Sequence, residues 1–410
     1  MQLRNYALVT AGYWAFTLTD GALRVLVLLH FNELGYSPVA IAFLFLLYEF
    51  MGIVTNLLGG WVGARTGLNT TLVAGLALQV VALVSLTFQQ IDWSEWLSVS
   101  YVMGAQALSG IAKDLTKMSS KSAVKFVAGS GEGALFRWVA ILTGSKNALK
   151  GVGFFVGAAL LAWIGYDAAL WAMAGFVGLA LIAVVALLDG DIGRSRKKPP
   201  LRSILSKSSS INRLASARFF LFASRDIWFV VALPIFLDEE LGWSFYGVGG
   251  FLAAWVIGYG IVQSSAPRWI RSRDGAAVDE LAAARTWAVA LAVITAVLAV
   301  LVGFEVAVTI SVVGGLFVFG VAFALNSSLH SYLILAYADE DDVSVDVGFY
   351  YSANAAGRLV GTLLSGLLYL WGGLPVALWG AAFFVGITWV LTRRLPSISD
   401  ATLSRAAHLA

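Results

Sequence analysis

Two lysines stand four residues apart in LTGSKNALKGVGFF (142–155), inside an apolar stretch that runs from about 135 to 165. Residues at i and i+4 share one face of a helix about 5–6 Å apart, where like charges repel; an anion held between Lys146 and Lys150 would reverse the sign of that interaction. An ammonium group at the centre of a bilayer costs about 2.5–3.5 kcal/mol even on the lenient insertion scale, so an intramembrane cation points to a function. A second reading begins the fifth span only at Ala148 and lets both lysines snorkel into the cytoplasmic interface, because Ala148 to Gly165 is just long enough to span.

The other ionisable residues at comparable depth are Asp20 and Arg24, Glu49, Arg225 and Asp226, and Arg358. With the two lysines, five cations face three anions, so complete internal pairing is impossible and the surplus positive charge calls for water or a negative ligand. Asn147 and Asn354 belong to the same candidate anion site. Asp20 and Arg24 are again i and i+4, with opposite signs, and read either as an intrahelical ion pair or as substrate contacts. Glu49 stands alone in LLYEFMGIV (46–54), as a proton carrier or as a protonated carboxyl bonded between helices. Arg225 and Asp226 are adjacent, hence about 100° apart on a helix, and are not expected to face one partner. His330, in LNSSLHSYL (325–333), is either a titrating group or an interhelical hydrogen-bonding residue. Asp20, Glu49, Asp226 and His330 are the proton-coupling candidates. Lys113, Asp114 and Lys117 form, with Arg218, a second cluster nearer the cytoplasmic ends of their helices.

Helices crossing a membrane must carry these groups. The chain has 410 residues, 59% of them hydrophobic and 12% charged, with a mean hydropathy of +0.83, which is the composition of a multi-pass membrane protein. Twelve apolar runs of spanning length fall near 6–30, 39–61, 69–90, 96–118, 135–164, 167–188, 214–237, 245–265, 284–303, 306–333, 347–371 and 374–392. With both termini inside, the basic loops (Arg65; Lys121 and Lys125; Arg194 to Lys207; Arg268, Arg271 and Arg273; Arg393 and Arg394) all share the cytoplasmic side. The opposite loops hold only acidic charge, from Glu33 to Glu305. The net charge of +3 is therefore a topology signal, and no nucleic-acid partner is expected. The acidic run ADEDD (338–342) falls in a cytoplasmic loop, which the rule tolerates. Cysteine is absent, which removes disulfides, thiolate metal sites and thiol nucleophiles. No His/Asp/Glu cluster has metal-ligand spacing and no nucleophile motif occurs, so neither an enzyme nor a cofactor is expected.

The polar stretch 189–213 separates a six-helix bundle at 1–188 from another at 214–392, followed by a cytoplasmic tail at 393–410. The halves repeat. AGYWAFTLTD (11–20) aligns with ARFFLFASRD (217–226), which sets Asp20 against Asp226; LGYS (34–37) matches LGWS (241–244). KNALKGVGFF (146–155) aligns with NAAGRLVGTL (354–363), which sets Lys150 against Arg358 and Gly153 against Gly361. Parallel repeats of this kind place a substrate site near the midplane, where the halves meet. Gly153 with Gly157 and Gly357 with Gly361 have the small-xxx-small spacing that lets helices approach closely.

Six plus six spans with a basic central loop resemble the major facilitator superfamily: an all-α membrane protein in two pseudo-symmetric halves. Its signature between spans two and three is only partly kept in GGWVGARTGLN (59–69), where Ala64, Leu68 and Asn69 replace the expected charges. The combination of TLTDGALR (17–24), LFLLYEFMGIVTN (44–56), SGIAKDLTKMSSKSAVK (109–125), LTGSKNALKGVGFF, ARFFLFASRDIWFV (217–230) and NSSLHSYLILAYAD (326–339) is similar to ArsJ-type organoarsenical efflux permeases across nearly the whole chain. That resemblance implies export of 1-arseno-3-phosphoglycerate, made when glyceraldehyde-3-phosphate dehydrogenase uses arsenate in place of phosphate, and hence arsenate resistance. The expected mechanism is alternating access by an inner-membrane monomer, with Lys146 and Lys150 on one anionic group and Arg358 with Arg24 or Arg225 on the other. A permease for organophosphates or other organic anions is the alternative.

Overall fold

The computed structural model describes residues 2–66, 68–127, 134–188, 208–270, 279–337 and 343–397, and every regular element among them is helical. The linker residues 189–207, Arg271 and Arg273, the acidic run 338–342 and the tail from 398 lie outside the described residues, as do the side chains of Arg65, Lys121, Lys125 and Arg268. The helices are α1 (Gln2–Glu33), α2 (Pro38–Leu44), α3 (Leu46–Thr66), α4 (Leu68–Leu86), α5 (Glu95–Val127), α6 (Ala134–Ile164) and α7 (Tyr166–Leu187). They continue with α8 (Ser209–Phe229), α9 (Ala232–Ile235), a π-helical turn (Phe236–Glu240), α10 (Phe245–Ile270), α11 (Glu280–Gly303), α12 (Val308–Tyr337) and α13 (Val343–Arg393).

Ten helical stretches are long and apolar enough to cross a membrane. The Asp346–Arg393 stretch is double length and breaks at Gly372 and Gly373, where Gly373 has φ 66°, a left-handed backbone that glycine adopts without steric penalty. The 33-residue α5, which carries Lys113, Asp114 and Lys117, is not among the ten. Helices therefore cover all twelve expected spans. Local chemistry sets several starts. The Ser37 hydroxyl accepts from Ala40 N ahead of Pro38, the Ser208 hydroxyl from Ile211 N, and the Asp279 carboxylate from Ala282 N, each satisfying an amide that the first turn leaves without a carbonyl.

The seventh span is broken because Pro234 has no N–H for the Val230 carbonyl. The Ser365 hydroxyl accepts from both Val231 N (3.2 Å) and Ala232 N (3.0 Å), so the break leaves those two amides satisfied. Large apolar side chains such as Leu179, Ile182 and Val185 on α7 are exposed, as expected of a surface whose solvent is lipid. Trp96, Trp163 and Trp371, near helix ends or the Gly372 break, are also strongly exposed and suit interfacial anchors.

The chain divides into two compact units. Unit 1 comprises the described residues of Met1–Pro199 with Pro234–Ile257; unit 2 those of Pro200–Leu233 with Gly258–Ala410. In unit 1, α1 packs on α6, α5 and α7, and α4 on α5 and α7. In unit 2, α13 packs on α8 and α11, and α11 on α12. The repeat is visible inside each unit. A Cβ at Gly153 of α6 would lie 2.3 Å from the Leu18 carbonyl oxygen of α1, and one at Gly361 of α13 would lie 2.6 Å from the Ala223 carbonyl oxygen of α8. The aligned glycines thus seat the fifth span on the first, and the eleventh on the seventh, at corresponding turns.

Candidate functional site

In unit 1 the helix α6 begins at Ala134, ahead of Lys146 and Lys150, which are both half-buried and lie in the first turns of the stretch Ser145–Ile164 that is long and apolar enough to cross a membrane. Asn147 is half-buried beside them. The Lys150 ammonium stands 5.7 Å from the centre of the Phe154 ring, a cation–π contact one turn on. Backbone proximity fixes this turn: a Cβ at Gly21 would sit 2.6 Å from the Lys150 carbonyl oxygen.

Asp20 and Arg24 each find a partner on α3. Arg24 reaches across to α3 and donates through Nη2 to Glu49 Oε1 at 2.5 Å, while Asp20 Oδ1 accepts from the Tyr48 hydroxyl at 2.6 Å. Glu49, read from sequence as standing alone, is wholly buried against that guanidinium. The physical reason is desolvation: the fully buried Glu49 carboxylate needs a cation, while Asp20 is served by the Tyr48 hydroxyl. Removing one partner of such a pair leaves a buried charge. Glu49→Leu is therefore expected to destabilise the protein by about 3–5 kcal/mol, and the double variant Arg24→Met with Glu49→Leu to recover most of it. The melting temperature of purified protein is the test, and equal melting of the single variant and wild type would refute the pairing.

Tyr48 is a residue that sequence reading passed over. The Arg24 guanidinium carbon lies 5.2 Å from its ring centre and the Lys113 ammonium 4.0 Å from it. Lys113 reaches the ring because α5 crosses α3 at Gly110, where a Cβ would stand 2.6 Å from the Tyr48 carbonyl oxygen. Farther along the same two helices, buried Asp114 accepts from Lys117 at 2.5 Å and from the Thr55 hydroxyl, and Lys117 also donates to Asn56 Oδ1 at 3.0 Å. Thr55 and Asn56 were equally unnoticed. Their signal was the polar pair within an apolar run, at helical spacing from Tyr48 and Glu49.

In unit 2, Arg225 and Asp226 bond each other. The Arg225 stem folds back so that Nε (2.7 Å) and Nη2 both donate to Asp226 Oδ1, and Arg358 Nε donates to Asp226 Oδ2 at 3.3 Å. The 100° between the two Cβ directions is overcome by the length of the arginine side chain. Asp226 is fully buried, and Phe222, Phe229 and Phe323 surround the Arg225 guanidinium at 5.2–5.9 Å. Asn354, one turn before Arg358 on α13, is half-buried.

Arg218, grouped in sequence with the Lys113 cluster, has its own setting in unit 2. It is buried, donates through Nη1 to the Ser327 carbonyl and hydroxyl at 3.0 Å each, and lies 4.0 Å from the Phe222 ring centre. His330 is also wholly buried, with Nε2 3.5 Å from the Thr392 hydroxyl. Asn326 Nδ2 donates to the Ala284 carbonyl at 2.8 Å, a tie between α12 and α11.

A profile of the Major Facilitator Superfamily matches residues 9–276, and the chain belongs to that superfamily of multi-pass membrane transporters. It is a transporter and not an enzyme. Three solved structures share the fold. A bacterial homologue of the iron transporter ferroportin, in an inward-facing state, is 18% identical with a TM-score of 0.71, over 96% of this chain and 98% of that one. A POT family transporter in complex with a thioalcohol-conjugated peptide is 12% identical with a TM-score of 0.77, over 96% of each chain. The human organic anion transporter MFSD10 (TETRAN) is 16% identical with a TM-score of 0.67, over 95% of this chain and 99% of that one. No curated protein matches the chain.

Proposed function

We propose that this transporter exports a small organic polyanion, 1-arseno-3-phosphoglycerate, across the inner membrane, with both termini cytoplasmic. The observation that carries the anion is the placing of cations at repeat-equivalent positions inside continuous helices: Lys150 on α6 and Arg358 on α13, each within one turn of the glycine that seats its helix on the first helix of its repeat. Lys146 and Lys150, with Asn147 beside them, are the anion-binding candidates of unit 1, and Arg358 and Arg225, with Asn354, are those of unit 2; Arg24, which pairs with Glu49, is the weaker candidate. The similarity to ArsJ-type permeases supplies the arsenate ester, which glyceraldehyde-3-phosphate dehydrogenase would generate, and the direction of transport. The organic anion transporter among the structures that share the fold is consistent with the charge of the substrate. Closure around the neutralised cations permits the switch of an alternating-access cycle.

Everted vesicles, cytoplasmic face outward, test this in a mixture where the dehydrogenase makes the ester. Arsenic uptake that requires the complete mixture supports the proposal. Uptake of phosphorylated metabolites with arsenic left outside makes the protein an organophosphate permease. Arginine grips phosphate or arsenate through two parallel hydrogen bonds whereas lysine acts as a point charge, so Arg358→Lys is expected to lower uptake about tenfold with protein level unchanged. Wild-type uptake in that variant would show that the contact is not bidentate.

A further inference from the structure

Asp226 is the carboxylate on which Arg225 and Arg358 converge. It is fully buried, and its carboxylate is shared: Oδ1 takes a two-point grip from Arg225, its neighbour on α8, and Oδ2 takes one bond at 3.3 Å from Arg358 on α13. The two links are unequal. Arg225 places two donors on one carboxylate oxygen, while the Arg358 Nε bond to the other is long at 3.3 Å and comes from a side chain on a different helix.

The backbone around the carboxylate is fixed. A Cβ at Gly361, three residues after Arg358, would lie 2.9 Å from the Asp226 Cβ and 2.6 Å from the Ala223 carbonyl oxygen, so α13 runs directly over the aspartate. The carboxylate therefore stays in place while the Arg358 guanidinium, at the end of a flexible stem, can exchange partners. The phenyl rings of Phe222, Phe229 and Phe323 beside Arg225 keep this pair in an apolar setting, where the exchange of one anion for another costs less than its loss.

The repeat-equivalent carboxylate of unit 1, Asp20, accepts from the Tyr48 hydroxyl.

We propose that Asp226 is a built-in stand-in for the substrate's anionic group: it holds Arg358 when no ligand is bound, and the ligand takes Arg358 from it while Arg225 keeps the aspartate in place. This deepens the proposed function and rests on its anion-binding Arg358. The stand-in keeps the guanidinium compensated in the empty transporter and sets a threshold that a weakly bound anion does not pass, so it governs selectivity by competition.

Binding of 3-phosphoglycerate to the purified full-length chain tests the inference, with wild type, Asp226→Asn and Asp226→Asn combined with Arg358→Met compared by calorimetry. The expected result is about tenfold tighter binding in Asp226→Asn, a gain that disappears when Arg358→Met is added. Equal or weaker binding in an Asp226→Asn protein that elutes and melts like wild type would overturn it, because a structural aspartate gives no gain. If 3-phosphoglycerate binds to neither but sulfate or citrate shows the same gain, the stand-in holds and the substrate assignment fails. If no anion binds to either, the stand-in falls as well. Where Asp226→Asn does not fold, infrared difference spectra of wild type with carboxyl-labelled aspartate decide: a carboxylate band that shifts on adding the anion, and is missing from Asp226→Glu, supports it, and an unshifted band overturns it.

Discussion

Arg358→Met is expected to cut arsenic uptake into everted vesicles by at least about thirtyfold, while the amount of protein in the membrane stays at the wild-type level. Removing one partner of a buried, hydrogen-bonded charge contact costs about 2–5 kcal/mol, and 1.4 kcal/mol is a factor of ten. The fold survives because Asp226 keeps the two-point grip of Arg225 after Arg358 is gone, so no buried carboxylate is left without a cation. Methionine preserves the length and apolar character of the stem, which confines the change to the guanidinium. Lys150→Met should act in the same direction, being the repeat-equivalent change in unit 1, whereas Arg394→Met, at an exposed position just past the end of α13, should transport normally. Undiminished uptake in Arg358→Met would remove the anion site from α13 altogether.

Gly357→Val is expected to abolish folded protein. A Cβ there would stand 2.2 Å from the Phe219 carbonyl oxygen, 2.9 Å from its carbon and 3.0 Å from its Cα, all backbone atoms of a neighbouring helix that cannot rotate away. The branched side chain adds two more carbons to that collision, and overpacking a well-filled contact already costs about 1–3 kcal/mol without a backbone clash. Separating α8 from α13 would also expose the buried Asp226 cluster to lipid. Gly386→Ala, on the same helix with nothing within 4 Å of its Cβ position, serves as the control and should express and elute as wild type does. A monodisperse Gly357→Val peak on size exclusion would show that the helices cross less closely than described.

The spans were legible because a bilayer demands about 20 apolar residues in a row and the linker residues do not provide them. Even the break between the last two spans was readable, since a Gly-Gly pair interrupts the run just where the helix bends. The Gly153 and Gly361 crossings were readable as spacing, which depends on one helix at a time. Partner choice was not. The i, i+4 pattern of Asp20 and Arg24 describes a single helix, and only the approach of α3 brings Glu49 and Tyr48 within reach. The bond between Arg225 and Asp226 was hidden for a similar reason, because Cβ directions say little about a side chain long enough to fold back on its neighbour. Arg218 was grouped by depth with lysines of unit 1, yet its partner is Ser327 on α12, a pairing of residues that lie 109 positions apart and share no pattern.

The Gly21 crossing separates two jobs that a single residue often has to combine. What touches Gly21 is the carbonyl of Lys150, an atom that every amino acid has, and the lysine's own side chain takes no part in that contact. Position 150 is therefore open to evolutionary drift in charge and length without disturbing the register of α1 and α6. A lineage could retune which ligands this transporter accepts through side-chain changes there, while the glycines that hold the helices together stay fixed.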